Sequence, residues 1–190
     1  MKLLFCLVSL GLAAEWGWAE QHRWTVDLQK LVVPNGQLAS GHCCDALFVK
    51  SCECALCFWK YLHCDMRLTV CIETGKATDD DDPLAECKGK SATSAVLAKN
   101  SDKITFEPGN YGGLQNPIVK DLDKDEEVRV KFVLEDDDPI GKDDLIHAWT
   151  YKRNVGEMSS GVVISAPLEP KREKASNLYV EFKFKKELIP

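Results

Sequence analysis

Eight cysteines crowded between positions 43 and 87 constrain this chain more than any other feature, because each must be paired, metal-bound or left reactive. The sequence holds nine in all, of which Cys6 lies in an apolar N-terminal stretch. The rest are Cys43, Cys44, Cys52, Cys54, Cys57, Cys64, Cys71 and Cys87. The apolar stretch follows Lys2, is too short to span a bilayer, and leads to Gly17-Trp18-Ala19, whose small Gly17 and Ala19 stand where a signal peptidase reads. Residues 1–19 are expected to be a signal peptide cleaved after Ala19, and residues 20–190 a secreted, extracellular domain. Polar Glu20, Gln21, His22 and Arg23 follow at once, which argues against a membrane anchor or a buried helix, and no second apolar run of spanning length occurs.

In an oxidising compartment an even set of cysteines reads as four disulfides. All eight fall in the first half, so they staple one end of the molecule and leave the second half to an ordinary core. Connectivity stays open, since eight cysteines allow on the order of a hundred pairings. Vicinal Cys43 and Cys44 point to opposite sides of an extended backbone, so each is expected to take a different distant partner. The rival reading is zinc, held by Cys52, Cys54 and Cys57 with His63 and Cys64 nearby. The compartment favours disulfides.

The chain of 190 residues is long enough for one domain with a real core. Its formal charge is −6, and no basic stretch suits phosphates, so nucleic acid is not an expected partner. Acids are clustered instead, at residues 79–82, 136–138 and 143–144. The rest of the pattern is β-rich. Residues 127–134 alternate, with Val128, Val130, Phe132 and Leu134 on one face and Arg129 and Lys131 on the other, predicting a half-buried antiparallel strand. Leu178, Val180, Phe182 and Phe184 repeat the alternation. Residues 24–33, 145–152 and 161–166 are further strand candidates between Pro, Gly, Asn and Asp clusters, and together they predict a sandwich.

Residues 35–44, N-G-Q-L-A-S-G-H-C-C, and residues 64–72, C-D-M-R-L-T-V-C-I, together resemble the N-terminal (MNNL) module of Notch ligands of the Delta/Serrate/Jagged class. In that module an N-G-x-L-A-S-G-like turn leads to a cysteine pair and then to C-x-x-x-F-x-V-C-L. Cys64 and Cys71 hold the two cysteines of that segment, Val70 its valine, Leu68 its aromatic position and Ile72 its leucine. Residues 112–118 look like the G-x-x-N-P-I/L segment, residues 128–135 like the following strand, residues 144–146 like D-x-L-I, and residues 178–184 like the final strand. The similarity runs from about residue 24 to residue 184. It implies an all-β, C2-like antiparallel β-sandwich with a disulfide-rich N-terminal half, and binding to the EGF repeats of a Notch-type receptor. Loop ends of sandwiches commonly bind. Asn35, Gly36, Gln37, Leu38 and His42 are therefore expected contact residues, together with the loop at 136–144.

That loop resembles the third loop of C2 domains, in which D-x-D is followed by a further Asp before an apolar pair. The resemblance puts Asp136, Asp138 and Asp144 on calcium-ligand positions. Asp45 is the one candidate from the first loop. Ca²⁺ takes six to eight oxygens at roughly 2.3–2.6 Å, which converging carboxylates can supply. A solvated acidic turn is the alternative reading. If calcium binds, a second function opens: a calcium-dependent module for anionic phospholipid surfaces.

The family module continues into a DSL domain, EGF repeats and a membrane anchor, whereas this sequence stops at Pro190. On its own it is expected to be a soluble co-ligand or antagonist of Notch signalling rather than a complete activating ligand. No enzyme is expected. His22, His42, His63 and His147 belong to no nucleophile or metal motif, and the glycines at 109–113 lack the lysine of a phosphate loop.

Overall fold

The structure, a computed structural model, describes residues 21–33, 44, 64–75, 84, 87, 89–97, 103–123, 127–137, 143–157, 163–168 and 178–189. Eleven strands run through them: β1 Gln21–Val32, β2 Met66–Gly75, β3 Lys90–Thr93, β4 Lys103–Thr105, β5 Gly109–Tyr111, β6 Leu114–Asn116, β7 Ile118–Asp123, β8 Glu127–Asp136, β9 Asp144–Asn154, β10 Val163–Leu168 and β11 Tyr179–Leu188. One 3-10 turn, Val155–Glu157, follows β9, and no α-helix occurs among the described residues. All strand pairs are antiparallel. The first sheet has the order β10-β11-β1-β4 with β7 also on β1, the second β3-β2-β8-β9, and β5 and β6 form a hairpin.

The inward rows are those the alternation predicts. Trp24, Val26 and Leu28 of β1 and Val180, Phe182 and Phe184 of β11 are buried in the first sheet. Leu68, Val70 and Ile72 of β2 pair with Leu134, Phe132 and Val130 of β8 in the second. Aromatic rings join the layers: Phe132 lies 4.9 Å from Phe182, and Tyr151 lies 5.1 Å from Phe182 and 5.6 Å from Phe184. Each such side chain contributes roughly 1.5–3 kcal/mol when buried. The strand expected at residues 24–33 is β1, that at 145–152 is β9, and that at 161–166 corresponds to β10.

The expectation of a half-buried β8 is corrected. Its outward residues Arg129 and Lys131 are buried as well, alongside Glu73 of β2. Glu73 Oε1 receives Lys131 Nζ at 3.0 Å and lies 3.8 Å from Arg129 Nε, which is 3.5 Å from Glu127 Oε1. Two cations and two anions therefore neutralise one another on the outer side of the sheet. The alternation rule reads charge as exposure, and mutual pairing is the exception to it.

β1 cannot pair with one partner along its whole second edge. β7 covers it from Gln21 to Val26 and β4 from Lys30 to Val32, while on the opposite edge the β1–β11 ladder shifts register between Leu28 and Lys30. Asn116, fully buried, fills the gap. Its Oδ1 accepts the Leu28 amide at 2.8 Å, and its Nδ2 donates to the carbonyls of Leu28 at 3.0 Å and Glu107 at 3.3 Å. The Phe106 amide donates to the carbonyl of Gln29 at 3.0 Å. The β5–β6 hairpin that delivers Asn116 turns on Gly112 and Gly113, whose φ angles of 70° and 127° suit glycine. Asn110 Oδ1 closes that turn on the Gly113 amide at 3.0 Å.

Candidate functional site at the β8–β9 loop end

Antiparallel pairing puts the start of β2, the end of β8 and the start of β9 together. Met66 opposes Asp136, and Asp136 opposes Asp144. A second bulge in the β8–β9 ladder, between Leu134 and Glu135, sets this last pair in register. Asp136 is 1% exposed, and its Oδ1 accepts the Asp65 amide at 2.6 Å. The Asp137 amide returns a bond to the Asp65 carbonyl at 2.8 Å. The chain entering β2 is thus fixed to the chain leaving β8.

Alternation sends Asp137 to the face opposite Asp136. There Arg67 of β2 forms an ion pair with Asp137 at 2.7 Å and another with Asp143, so one guanidinium bridges carboxylates from the two ends of the connection. All three side chains are about a third exposed or less. A planar fork of donors suits two carboxylates better than an ammonium does.

Cys44 and Cys64 form a disulfide at this end, with Cα atoms 5.0 Å apart, and Cys71 pairs with Cys87. Both bonds join cysteines of the expected set. They give the two cysteines of the 64–72 segment separate partners. Two groups of side chains have metal-like proximity, Cys44 with Cys64 and Asp136, and Cys71 with Glu73 and Cys87, the atoms of each lying within 4.8 Å of one another. In both, the sulfurs are already bonded to each other, which removes them as thiolate ligands.

Of the expected calcium positions, Asp136 and Asp144 come together in register, the first buried and the second exposed. Asp138 and Asp45 lie outside the described residues, as do Asn35, Gly36, Gln37, Leu38, His42, Cys43, Cys52, Cys54 and Cys57. His147 is half-buried with its ring 4.7 Å from that of Trp149, a packing role in keeping with its strand position. Arg67 was not singled out from sequence. The available signal was its place three residues after Cys64, at the mouth of the acidic loop. Among the described residues no helix is long and apolar enough to cross a membrane.

Two packed antiparallel sheets with their polar machinery in a loop end define a C2-like β-sandwich. Solved structures agree with that class. A C2 domain protein from Ramazzottius varieornatus superposes with a TM-score of 0.56 at 15% identity, over 90% of this chain and 91% of that one. Drosophila C2-DSL-EGF1 gives 0.53 at 15% identity, over 88% of this chain and 67% of that one. Human GIVD cytosolic phospholipase A2, in complex with a fluorophosphonate inhibitor and terbium chloride, gives 0.55 at 11% identity. That match covers 90% of this chain but 18% of the phospholipase, so the chain spans less than a fifth of that enzyme's length. No protein-family model matches the sequence, and no curated protein matches it.

Proposed function

We propose that this chain is a secreted, non-enzymatic binding module that engages the EGF repeats of a Notch-type receptor and modulates its signalling. The observation that carries the reading is the Cys44–Cys64 disulfide at the β8–β9 end. Cys44 follows His42 by two residues in sequence, and its bond to Cys64 holds it beside the carboxylate of Asp136. In this reading the 35–42 segment and the 136–144 loop contribute to one contact surface. The segments that resemble the Notch-ligand module also supply the sandwich its β2, β6, β8, β9 and β11 strands. A neighbour whose name gives the order C2-DSL-EGF has the arrangement in which that module occurs.

Residues 1–19 act as the signal peptide in this reading, and N-terminal sequencing of protein secreted from cells should begin at Glu20. The functional test is titration of the oxidised domain against immobilised Notch EGF repeats, in calcium and in EGTA with receptor folding controlled. Saturable binding weakened by substitution at Gln37, Leu38 or His42 is the expected result. No binding at micromolar concentration, with the fold intact, overturns it. Sedimentation with anionic liposomes in calcium but not in EGTA would replace it with the phospholipid-binding reading.

A further inference from the structure

We propose that the β8–β9 end of this sandwich is closed by its own residues, Arg67 serving as a built-in cation and Cys44–Cys64 as a covalent tie, so that the end is held without calcium. The inference goes beyond receptor binding and stands for any partner.

A calcium ion in such a loop draws carboxylates from both flanking strands onto one positive centre. Arg67 performs that task here, since its guanidinium is paired at once with Asp137, the residue after β8, and Asp143, the residue before β9. The charge is covalently attached, so it does not depend on the surrounding ion concentration. On the opposite face the carboxylate best placed to be a ligand already has another use. Asp136 is buried, its Oδ1 accepts the Asp65 amide at 2.6 Å, and it lies against the Cys44 and Cys64 sulfurs. Calcium binding there would have to reach a buried carboxylate that already accepts an amide, and would set a hard ion beside neutral sulfur, a poor ligand for it. Among the described residues Asp144, across the ladder, adds one exposed carboxylate, well short of a calcium shell.

Arg67→Gln removes the built-in cation while keeping a polar side chain of moderate length. Thermal unfolding of the oxidised protein is to be followed in EGTA and in calcium at about 1 mM, the upper range in which extracellular modules bind it. The wild-type melting temperature is expected to be the same in both buffers, and Arg67→Gln to melt about 2–4 °C lower in EGTA, as a loss of a partly exposed two-carboxylate clamp implies. Calcium raising the wild-type melting temperature overturns the proposal, and so does an Arg67→Gln protein as stable as wild type. Terbium titration followed by directly excited lanthanide luminescence gives a reading on the wild type even if the variant does not fold. A saturable signal that calcium displaces and that Asp136→Asn together with Asp144→Asn abolishes also overturns it. None of these measurements involves the receptor, so the result is separate from the test of receptor binding.

Discussion

Asn116 and Glu73 are both buried polar side chains, one in the gap of the first sheet and one on the outer side of the second, and they solve different problems. Asn116 is neutral and serves the backbone: its amide copies the donor and acceptor that a neighbouring strand would present to Leu28. Glu73 is charged and serves other side chains, sharing one carboxylate between Lys131 and Arg129. The neutral group repairs a break in strand pairing. The charged group leaves β8 buried on both faces, and it ties the stability of each member to the presence of the others.

The largest effect should come from breaking the charged set. Glu73→Gln leaves two buried cations with a shared carboxylate gone, and urea unfolding with disulfides intact should show a loss of about 3–5 kcal/mol. Adding Lys131→Met to Glu73→Gln should cost less than the same change in wild type, by a coupling of about 1–3 kcal/mol. Absence of coupling would mean that the two do not act as a unit.

Asn116→Ala comes next, at about 2–4 kcal/mol, since the Leu28 amide and carbonyl both lose a buried partner. Asn116→Asp should rescue little of this, because it keeps the acceptor for the amide but turns an oxygen toward two carbonyls. Asn116→Ala and Glu73→Gln share no partner, so their costs should add to within about 0.5 kcal/mol. A marked departure from additivity would show that the two sheets communicate through the core.

The smallest effect belongs to an exposed pair on the first sheet. Arg23 donates to Asp121 through Nε at 2.8 Å and Nη2 at 3.0 Å, and this hydrogen bonding holds the Asp121 carboxyl below its ordinary range and Arg23 above its own. A lowered carboxyl contributes stability that is present above its unfolded value, about 3.9, and is lost as pH falls through the lower folded value. Asp121→Asn should therefore leave stability near neutral pH almost unchanged and slightly flatten the acid limb, an effect that fades with added salt. Unfolding midpoints measured across acidic pH, at low and high salt, check it.

Much of the architecture was legible in the sequence. Val128, Val130, Phe132 and Leu134, and likewise Leu178, Val180, Phe182 and Phe184, read correctly because a side-chain period of two is local and survives any tertiary arrangement that buries one face. Residues 112–118 stood out only as a resemblance to a G-x-x-N-P-I/L segment, and nothing local to Asn116 tells that its partner is Leu28, 88 residues away. The candidate site was only partly legible. The acidic run drew attention to Asp136 and Asp144, which do meet across β8 and β9. Arg67 stayed hidden because its partners are distant in sequence and adjacent only once β2 and β8 are in register.

The sequence by itself determined the inward faces, the all-β class and the pool of cysteines, since each follows from local spacing and chemistry. Tertiary structure alone decided that Cys44 takes Cys64 and Cys71 takes Cys87, that Arg129 and Lys131 are buried, and that Asp136 anchors an amide while Arg67 clamps its neighbours. The physical reason is one of range. Alternation is written into neighbouring residues, whereas charge pairing and disulfide choice depend on which strands lie about 5 Å apart after the sheets have formed.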